Sequence, residues 1–159
     1  MTNEHTEVLA ANEAFYRAFE KKDISAMSNV WSQGTGSLCI HPGRNVLRGW
    51  KAIGESWEQI FKNISYIEIE TQIIATEVRN NIAYIVLVET LLQVSRNRIQ
   101  AESMATNIFE QMGSSWYLVS HHGSPLLRWF QNFTVFNTRQ RSQLFTIIKE
   151  QRSIKYSWV

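Results

Sequence analysis

Two hydrophobic periods divide the chain. In the first third, apolar residues recur every three or four positions, which predicts amphipathic helices. The segments NEHTEVLAANEAFYRAFEKK, ISAMSNVW and WKAIGESWEQIFKN follow this spacing, and Asp23 can cap the second of them. The apolar run SLCI lies before the third helix and predicts a short buried strand. The loop HPGRNVLRG follows it, because Pro42 disfavours helix at the preceding residue.

From Tyr66 onward the apolar period changes to two. Four segments, YIEIETQIIATEV, IAYIVLVETLLQV, RIQAESMATNIFEQM and SSWYLVSHHGS, are separated by turn residues, which predicts hairpin-linked strands. Helices followed by long strands indicate the α+β class, with three N-terminal helices packed on one face of a curved antiparallel sheet. Such a sheet encloses a cone, and the open end of a cone is a natural site for a small molecule.

The composition is that of an ordinary globular domain. The chain has 159 residues, of which 44% are hydrophobic and 19% charged, and this length favours one domain. Cys39 is the single cysteine, so no internal disulfide can form. The N-terminus lacks a basic patch followed by an apolar block, and no apolar run reaches the length of a membrane span. We therefore expect a cytoplasmic protein.

The charge is split between a mildly acidic body and a basic tail. Residues 1–125 hold 10 basic and 13 acidic side chains, whereas residues 126–159 hold 6 and 1. Apolar residues at helical spacing in the tail predict a basic amphipathic helix. Such a helix can dock on its own body, on a dimer mate, on an acidic partner or on a membrane surface. We favour the body or the mate over a membrane, and we expect no nucleic-acid partner.

Several segments together resemble one superfamily. AFYRAFEKKDISAM, HPG, LRGWKAIGESWEQIF, IAYIVLVE and NIFEQMGSSWYLVSHHGS resemble, in this order, the SnoaL-like bacterial members of the nuclear-transport-factor-like superfamily. The resemblance covers roughly residues 6–125. It implies a cone-shaped α+β barrel that commonly dimerises through its sheet. We therefore divide the chain into a SnoaL-like domain, residues 1–125, and a C-terminal extension, residues 126–159.

The ketosteroid isomerases of this superfamily suggest a candidate base. Their catalytic aspartate directly precedes a proline at the end of the first strand, and His41 directly precedes Pro42 here. A histidine can accept a proton near neutral pH. The isomerases also use a tyrosine and a protonated aspartate as an oxyanion hole, and these positions match Phe15 and Asn107. Phe15 has no proton to donate, and the neighbouring Tyr16 is turned by about 100° on the helix.

The kinase association domains of the same superfamily suggest an uncharged ligand. The matching strands of those domains carry arginines at the positions of Val86 and Asn107. Because this chain lacks both cations, a buried carboxylate ligand would have no partner. The second histidine of their HxH motif matches His122, and the first matches Ser120.

Strand alternation then predicts which side chains face the cone. If Val86 and Asn107 point inward, the last strand presents His122 to the same interior, while Glu89 belongs to the outer, dimer-forming face. The predicted pocket is apolar and aromatic with three polar points, which suits an uncharged ring-shaped molecule. We expect His41, Asn107 and His122 as candidate catalytic residues, and Phe15, Trp31, Trp57 and Val86 as ligand contacts.

We expect no metal and no cofactor. His121 and His122 are adjacent on a strand and point to opposite faces, so they do not form a zinc site with His41.

Purely structural interpretations of the candidate residues also remain open. His41 can cap the strand end, and His122 can be a core histidine that bonds His41 or Ser124. Phe15, Trp31 and Trp57 can be core residues.

Three functional hypotheses remain open. The chain is a small-molecule-binding domain, with proton transfer by His41 left open; or a non-catalytic homodimeric association module that recruits a partner through its sheet face or tail; or a structural homodimer with a vestigial pocket. The sequence leaves open whether the protein is an enzyme, because a binder and an enzyme need the same pocket.

Overall fold

The computed structural model describes residues 3–64, 67–93 and 99–126. The predicted C-terminal helix lies outside these residues, and the domain boundary at residue 125 stays a prediction. The described part is α+β, as expected, with three helices before the long strands. The elements are α1 Asn3–Lys21, α2 Ile24–Val30, β1 Leu38–Ile40, β2 Leu47–Arg48, α3 Gly49–Asn63, β3 Ile67–Arg79, β4 Ile82–Gln93, β5 Ile99–Met112 and β6 Ser115–Pro125.

The junction between α1 and α2 follows from local chemistry. Lys22 adopts a left-handed conformation with φ 54°, and the next amide, that of Asp23, bonds the carbonyl of Ala18 at 2.9 Å. These features end a helix. The Asp23 carboxylate then accepts from the amide of Ala26 at 2.9 Å and begins α2, as the sequence predicts.

Six strands form one curved sheet in the order β2-β1-β6-β5-β4-β3. The three long hairpins β3–β4, β4–β5 and β5–β6 are antiparallel. The pair β1–β6 is parallel, with Cys39 opposite His121 and Ile40 opposite His122. The sequence gives no sign of this parallel pair within the sheet that it predicts as antiparallel. It places His41, the residue after β1, beside the C-terminal half of β6.

A β-bulge interrupts the pairing of β5 with β6. Ile108 lies opposite Ser120 and Phe109 lies opposite Leu118, so Val119 is the extra residue. An extra residue reverses the alternation of side chains beyond it. Leu118 before the bulge and His121 after it are therefore both buried. His122 is exposed, and the expectation that its ring faces the interior is wrong.

The concave side of the sheet and the helices enclose an aromatic core. Phe15 of α1 has its ring centroid 6.3 Å from that of Trp31 and 5.7 Å from that of Trp57, both in edge-to-face geometry. Edge-to-face pairs are the preferred arrangement of aromatic rings. The largest fully buried side chains are Trp31, Trp57, Phe15, Phe109, Met27, Ile53, Ile85, Leu87, Leu118, Val8, Asn107 and Cys39.

A proline–glycine contact fixes the chain next to His41. A Cβ atom added to Gly123 would lie 2.9 Å from Cγ and 3.0 Å from Cδ of Pro42. The Pro42 ring therefore packs directly on the backbone of β6, and only glycine leaves space for it. This contact, together with the β1–β6 pairing, holds His41 at the edge of the core.

We expect Gly123→Ala to lower the free energy of unfolding by about 1–3 kcal/mol, the usual effect of overpacking. Urea denaturation followed by circular dichroism measures it. Gly36→Ala is the matched control, because a Cβ there meets nothing within 4 Å. Equal stabilities of the two variants would contradict the proposed contact.

Candidate functional site

Most of the predicted site residues come together, but two do not. Phe15, Trp31, His41, Trp57 and Asn107 are all buried in the same core. Val86 and His122 are the exceptions: both lie on the outer side of the sheet. Whether the five buried residues act on a ligand stays a prediction.

The inward face of β4 is the opposite of the predicted one. Ile85, not Val86, lies opposite Asn107 in the β4–β5 pair, and directly opposite residues share a face. Ile85 and Leu87 are fully buried, Val86 is half-buried, and Glu89 is 4% exposed. The assignments of Val86 to the interior and of Glu89 to the outer face are therefore wrong.

Glu89 is a buried carboxylate held by two hydroxyl groups. Tyr16 donates to its Oε1 at 2.6 Å, and Ser103 donates to its Oε2 at 2.6 Å. Each residue comes from a different element, α1, β4 or β5, so the carboxylate ties the helix layer to the sheet. A buried carboxylate is tolerated only with such partners.

Asn107 extends this cluster across the interior. Its Nδ2 donates to Oδ1 of Asn12 at 2.8 Å and to the hydroxyl oxygen of Tyr16 at 3.2 Å. Its Oδ1 lies 2.7 Å from Nδ1 of His121. The fully buried amide thus has partners on both ends. A continuous row of hydrogen bonds, which we call the polar row, runs through Ser103, Glu89, Tyr16, Asn107 and His121, with Asn12 as a branch.

His41 lies at the end of β1, against α3 and the aromatic core. Its Nε2 is 3.0 Å from Oγ of Ser56 on α3, and 3.7 Å from Sγ of Cys39. Its ring packs edge-on against Trp57, with centroids 4.9 Å apart, and its centroid is 6.5 Å from that of His121. The structure therefore brings two imidazoles into one aromatic core.

Burial keeps both imidazoles neutral. Desolvation, reinforced by the nearby His121 and Arg44, lowers the pKa of His41 to about 3. Burial also lowers the pKa of His121, although the negative charge of Glu89 opposes this shift. The charged form of each ring would lose hydration that the core does not replace.

The Tyr16 phenol and the Cys39 thiol both keep their protons. Burial and the adjacent Glu89 charge raise the pKa of Tyr16, so its phenol stays a proton donor. Burial likewise raises the pKa of the Cys39 thiol, which makes it inert as a nucleophile. The structure thus supports the interpretation of Cys39 as a small core residue.

The interior is closed in this structure. Phe15, Trp31 and Asn107 are 0% exposed and Trp57 is 1% exposed, so no space that admits water lies against them. A cavity of about 440 Å³ lies elsewhere, between α2 and α3; its lining residues are Ile24, Ser25, Ser28, Asn29, Trp50, Lys51, Gly54, Glu55 and Glu58. The expected open pocket is therefore a filled core in this conformation.

Three buried indole N–H groups lack a hydrogen-bond partner among the described residues. They are Nε1 of Trp31, Trp57 and Trp116. An unpaired buried donor costs about 1–3 kcal/mol, and such donors are rare in native proteins. Trp57 lies beside both imidazoles, with its ring centroid 4.9 Å from that of His41 and 6.4 Å from that of His121.

Within the described ranges, no group of three His, Cys, Asp or Glu side chains is arranged to hold a metal ion.

In the same part of the chain, no helix combines the length and apolar character needed to cross a membrane. The cytoplasmic location remains a prediction from the sequence.

Sequence reasoning missed three members of the site: Tyr16, Glu89 and His121. The apolar residues on both faces of β4, from Ile82 to Val88, conceal which face is buried. The available signal was Glu89, the carboxylate that directly follows this apolar run, because a carboxylate at such a position is either an outer-face residue or a functional one.

The comparisons with known proteins agree with this architecture. The model of the SnoaL-like domain family matches residues 8–128. The chain belongs to the SnoaL-like domain family. The SnoaL-like domain is also similar to a candidate dehydratase of the NTF2-like family from Streptomyces avermitilis, at 29% identity over 78% of this chain and 96% of that chain, with a TM-score of 0.73.

Two further similar proteins have other roles. A candidate calcium/calmodulin-dependent protein kinase type II association domain from Thiobacillus denitrificans is 27% identical over 74% of this chain and 94% of that chain, with a TM-score of 0.69. The F-box protein SKIP8 of Arabidopsis thaliana is 22% identical over 120 residues, which are 76% of this chain. The SnoaL-like domain spans about half the length of this curated relative, 50%.

The depressed pKa of His41 gives stability a pH dependence. Its folded pKa, about 3, lies below the unfolded value of 6.5, so the unfolded state binds more protons between these values. The contribution of His41 to the free energy of unfolding is therefore fully present above pH 6.5 and is lost as the pH falls toward 3. From pH 7 to pH 5 we expect His41 to account for a loss of about 2 kcal/mol.

Urea denaturation at both pH values tests this. The loss in the wild type should exceed that in His41→Gln by about 2 kcal/mol, whereas His122→Gln, at an exposed position, should behave as the wild type. Identical losses in wild type and His41→Gln would show that His41 is not buried as a neutral ring.

Proposed function

We propose that this SnoaL-like domain binds a small uncharged molecule inside the cone, where His41, Asn107 and His121 contact its polar groups. The observation that carries the proposal is a polar row and three unpaired indole N–H groups inside an otherwise aromatic core. A purely structural core has no need of two neutral imidazoles and several unpaired donors, and such departures concentrate at functional sites.

The chemistry of the core supports an uncharged ligand. Both histidines are neutral and no basic side chain is among its buried polar residues in the described part of the chain. A carboxylate ligand would lie near Glu89 without a cation to pair with it. Neutral imidazoles and indole N–H groups instead suit hydroxyl and carbonyl groups on an apolar ring.

Binding requires the interior to open. Residues 42–46, directly after His41, are exposed, so entry is expected beside this histidine. A ligand there would displace aromatic side chains and would offer acceptors to the unpaired indole N–H groups. Proteins commonly populate such open forms as minor states that a ligand selects.

Proton transfer by His41 is a step beyond binding. A base with a pKa of about 3 accepts protons poorly at neutral pH, since efficient bases have pKa values near the working pH. Opening the core would rehydrate His41 and bring its pKa back toward 6.5. The candidate dehydratase among the relatives supports testing this activity after a ligand is found.

The binding proposal is tested with 2-naphthol, an uncharged aromatic hydroxyl compound. In a protein labelled with ¹⁵N at histidine and tryptophan, we expect saturable shifts of the His41, His121 and Trp57 signals. His41→Leu should weaken binding roughly five- to tenfold, the worth of one hydrogen bond, and His122→Leu should leave it unchanged. If millimolar 2-naphthol and a panel of uncharged ring compounds shift none of these signals, the proposal fails.

A second candidate function is homodimeric association through the outer face of the sheet. Ile82, Tyr84 and Met112 are 38–40% exposed on this face, and Tyr84 lies opposite Ile108 there. Clustered exposed apolar residues mark interaction surfaces. A second copy is the expected partner, because the same apolar strip on two copies can pack against itself about a two-fold axis. The similarity to a kinase association domain supports this role, and it is compatible with an interior site.

Light scattering with size-exclusion chromatography tests the association. We expect the wild-type chain to have the mass of a dimer and Tyr84→Arg to have that of a monomer, because a cation replaces apolar contact at the centre of the strip. Ser114→Arg, in the exposed β5–β6 turn, is the control and should remain dimeric. A monomeric wild type would remove this candidate.

A further inference from the structure

The polar row has a direction that is set at Glu89. An ionised carboxylate only accepts hydrogen bonds. Tyr16 and Ser103 each lie 2.6 Å from one of its oxygens, which is within the range of about 2.5–2.7 Å for a hydroxyl bonded to a carboxylate. Tyr16 therefore gives its single proton to Glu89, and the phenol oxygen is left as an acceptor for the next group.

Asn107 passes this direction on. Because the Tyr16 oxygen accepts, the amide group 3.2 Å away must be Nδ2, and the same Nδ2 also donates to Asn12 at 2.8 Å. The amide carbonyl then faces His121, with Oδ1 2.7 Å from Nδ1. A carbonyl oxygen has no proton, so the proton in this bond belongs to His121.

We infer that Glu89 is a positioning residue that fixes the tautomer of His121 through Tyr16 and Asn107. The ring carries its proton on Nδ1 and keeps Nε2 as an unprotonated acceptor. Because burial lowers the pKa of His121, it holds one proton, not two. Two residues separate Glu89 from His121 in the row, so the carboxylate acts without direct contact with the imidazole.

The tautomer of His121 also defines which ligand groups it can bind, and only this ligand chemistry rests on the proposed binding function. An unprotonated Nε2 binds a donor, which in an uncharged molecule is a hydroxyl or N–H group. The unpaired N–H of Trp57, whose ring centroid is 6.4 Å from that of His121, suits a carbonyl or ether oxygen. The ligand class is therefore a hydroxylated ring compound rather than a pure hydrocarbon.

Glu89→Gln distinguishes a directing carboxylate from a merely structural one. A glutamine side chain can accept from Tyr16 or donate to it. When it donates, Tyr16 can donate in turn to a flipped Asn107, if Asn12 flips as well and presents its Nδ2 to Oδ1 of Asn107. Asn107 Nδ2 then donates to Nδ1 of His121. The variant has similar size and hydrogen-bonding capacity, but it permits both directions of the row and therefore both tautomers.

The experiment is ¹⁵N NMR of the histidine side chains in the full chain without ligand. In the wild type we expect one His121 tautomer, with the proton on Nδ1. In Glu89→Gln the ratio of the two tautomers should fall at least about tenfold, which is the ratio that 1.4 kcal/mol changes. Ser103→Ala is the matched control: it removes a neighbour of Glu89 but leaves the direction intact, so the tautomer should not change.

The outcomes separate cleanly. A wild-type His121 with its proton on Nε2 overturns the inference, and this measurement stands even where Glu89→Gln fails to fold. An unchanged tautomer in a folded Glu89→Gln also overturns it, as does an equal loss in Ser103→Ala. Tyr16→Phe, which cuts the row, is a second variant and should release the tautomer as Glu89→Gln does.

A ligand measurement keeps this inference distinct from the proposed function. Wild-type protein should bind 2-naphthol roughly tenfold more tightly than naphthalene, and Glu89→Gln should lose this preference. If neither compound binds while the tautomers behave as expected, the binding function fails and the tautomer assignment stands. If both bind equally to the wild type, the role of Nε2 as a ligand acceptor is refuted.

Discussion

The buried carboxylate of Glu89 is the constraint on which the interior depends. A carboxylate removed from water needs strong partners, and it finds them in hydroxyl groups of Tyr16 and Ser103, both at 2.6 Å. Because these partners come from α1 and β5, satisfying one charge fixes the helix layer against the sheet. The acceptor-only character of the carboxylate then orders every hydrogen bond as far as His121.

Some polar groups of the interior have all their hydrogen-bond partners, and others have none among the described residues. The polar row pairs its amide and carboxylate groups fully, whereas three indole N–H groups remain unpaired among the described residues. At about 1–3 kcal/mol each, these unpaired donors are a substantial fraction of a typical stability of about 5–15 kcal/mol. The proposed ligand would supply the acceptors that these donors lack. Under that proposal, stability and binding oppose each other at the same residues.

The predictability of this fold follows from the range of the interactions involved. Helices and hairpins depend on spacing and turn residues near in sequence, so α1, α3 and the long strands were predictable. The inward faces of β4 and β6 were not. Both faces of β4 are apolar between Ile82 and Val88, and the bulge at Val119 leaves no mark in a sequence that alternates on either side. These two ambiguities moved Val86, Glu89, His121 and His122 to the wrong sides.

The parallel β1–β6 pair shows the same limit. It depends on a contact between Pro42 and Gly123, 81 positions apart, which no local pattern encodes. His41 was nevertheless expected to face the interior, where it is buried, since it directly follows the apolar run SLCI.

Neutron diffraction of the ligand-free protein tests the central claim most directly, because it locates the hydrogens of the polar row. The account predicts deuterium on Oη of Tyr16 directed at Glu89, none on the carboxylate, and deuterium on Nδ1 but not Nε2 of His121. Deuterium on a Glu89 oxygen, or on Nε2 of His121, would contradict it.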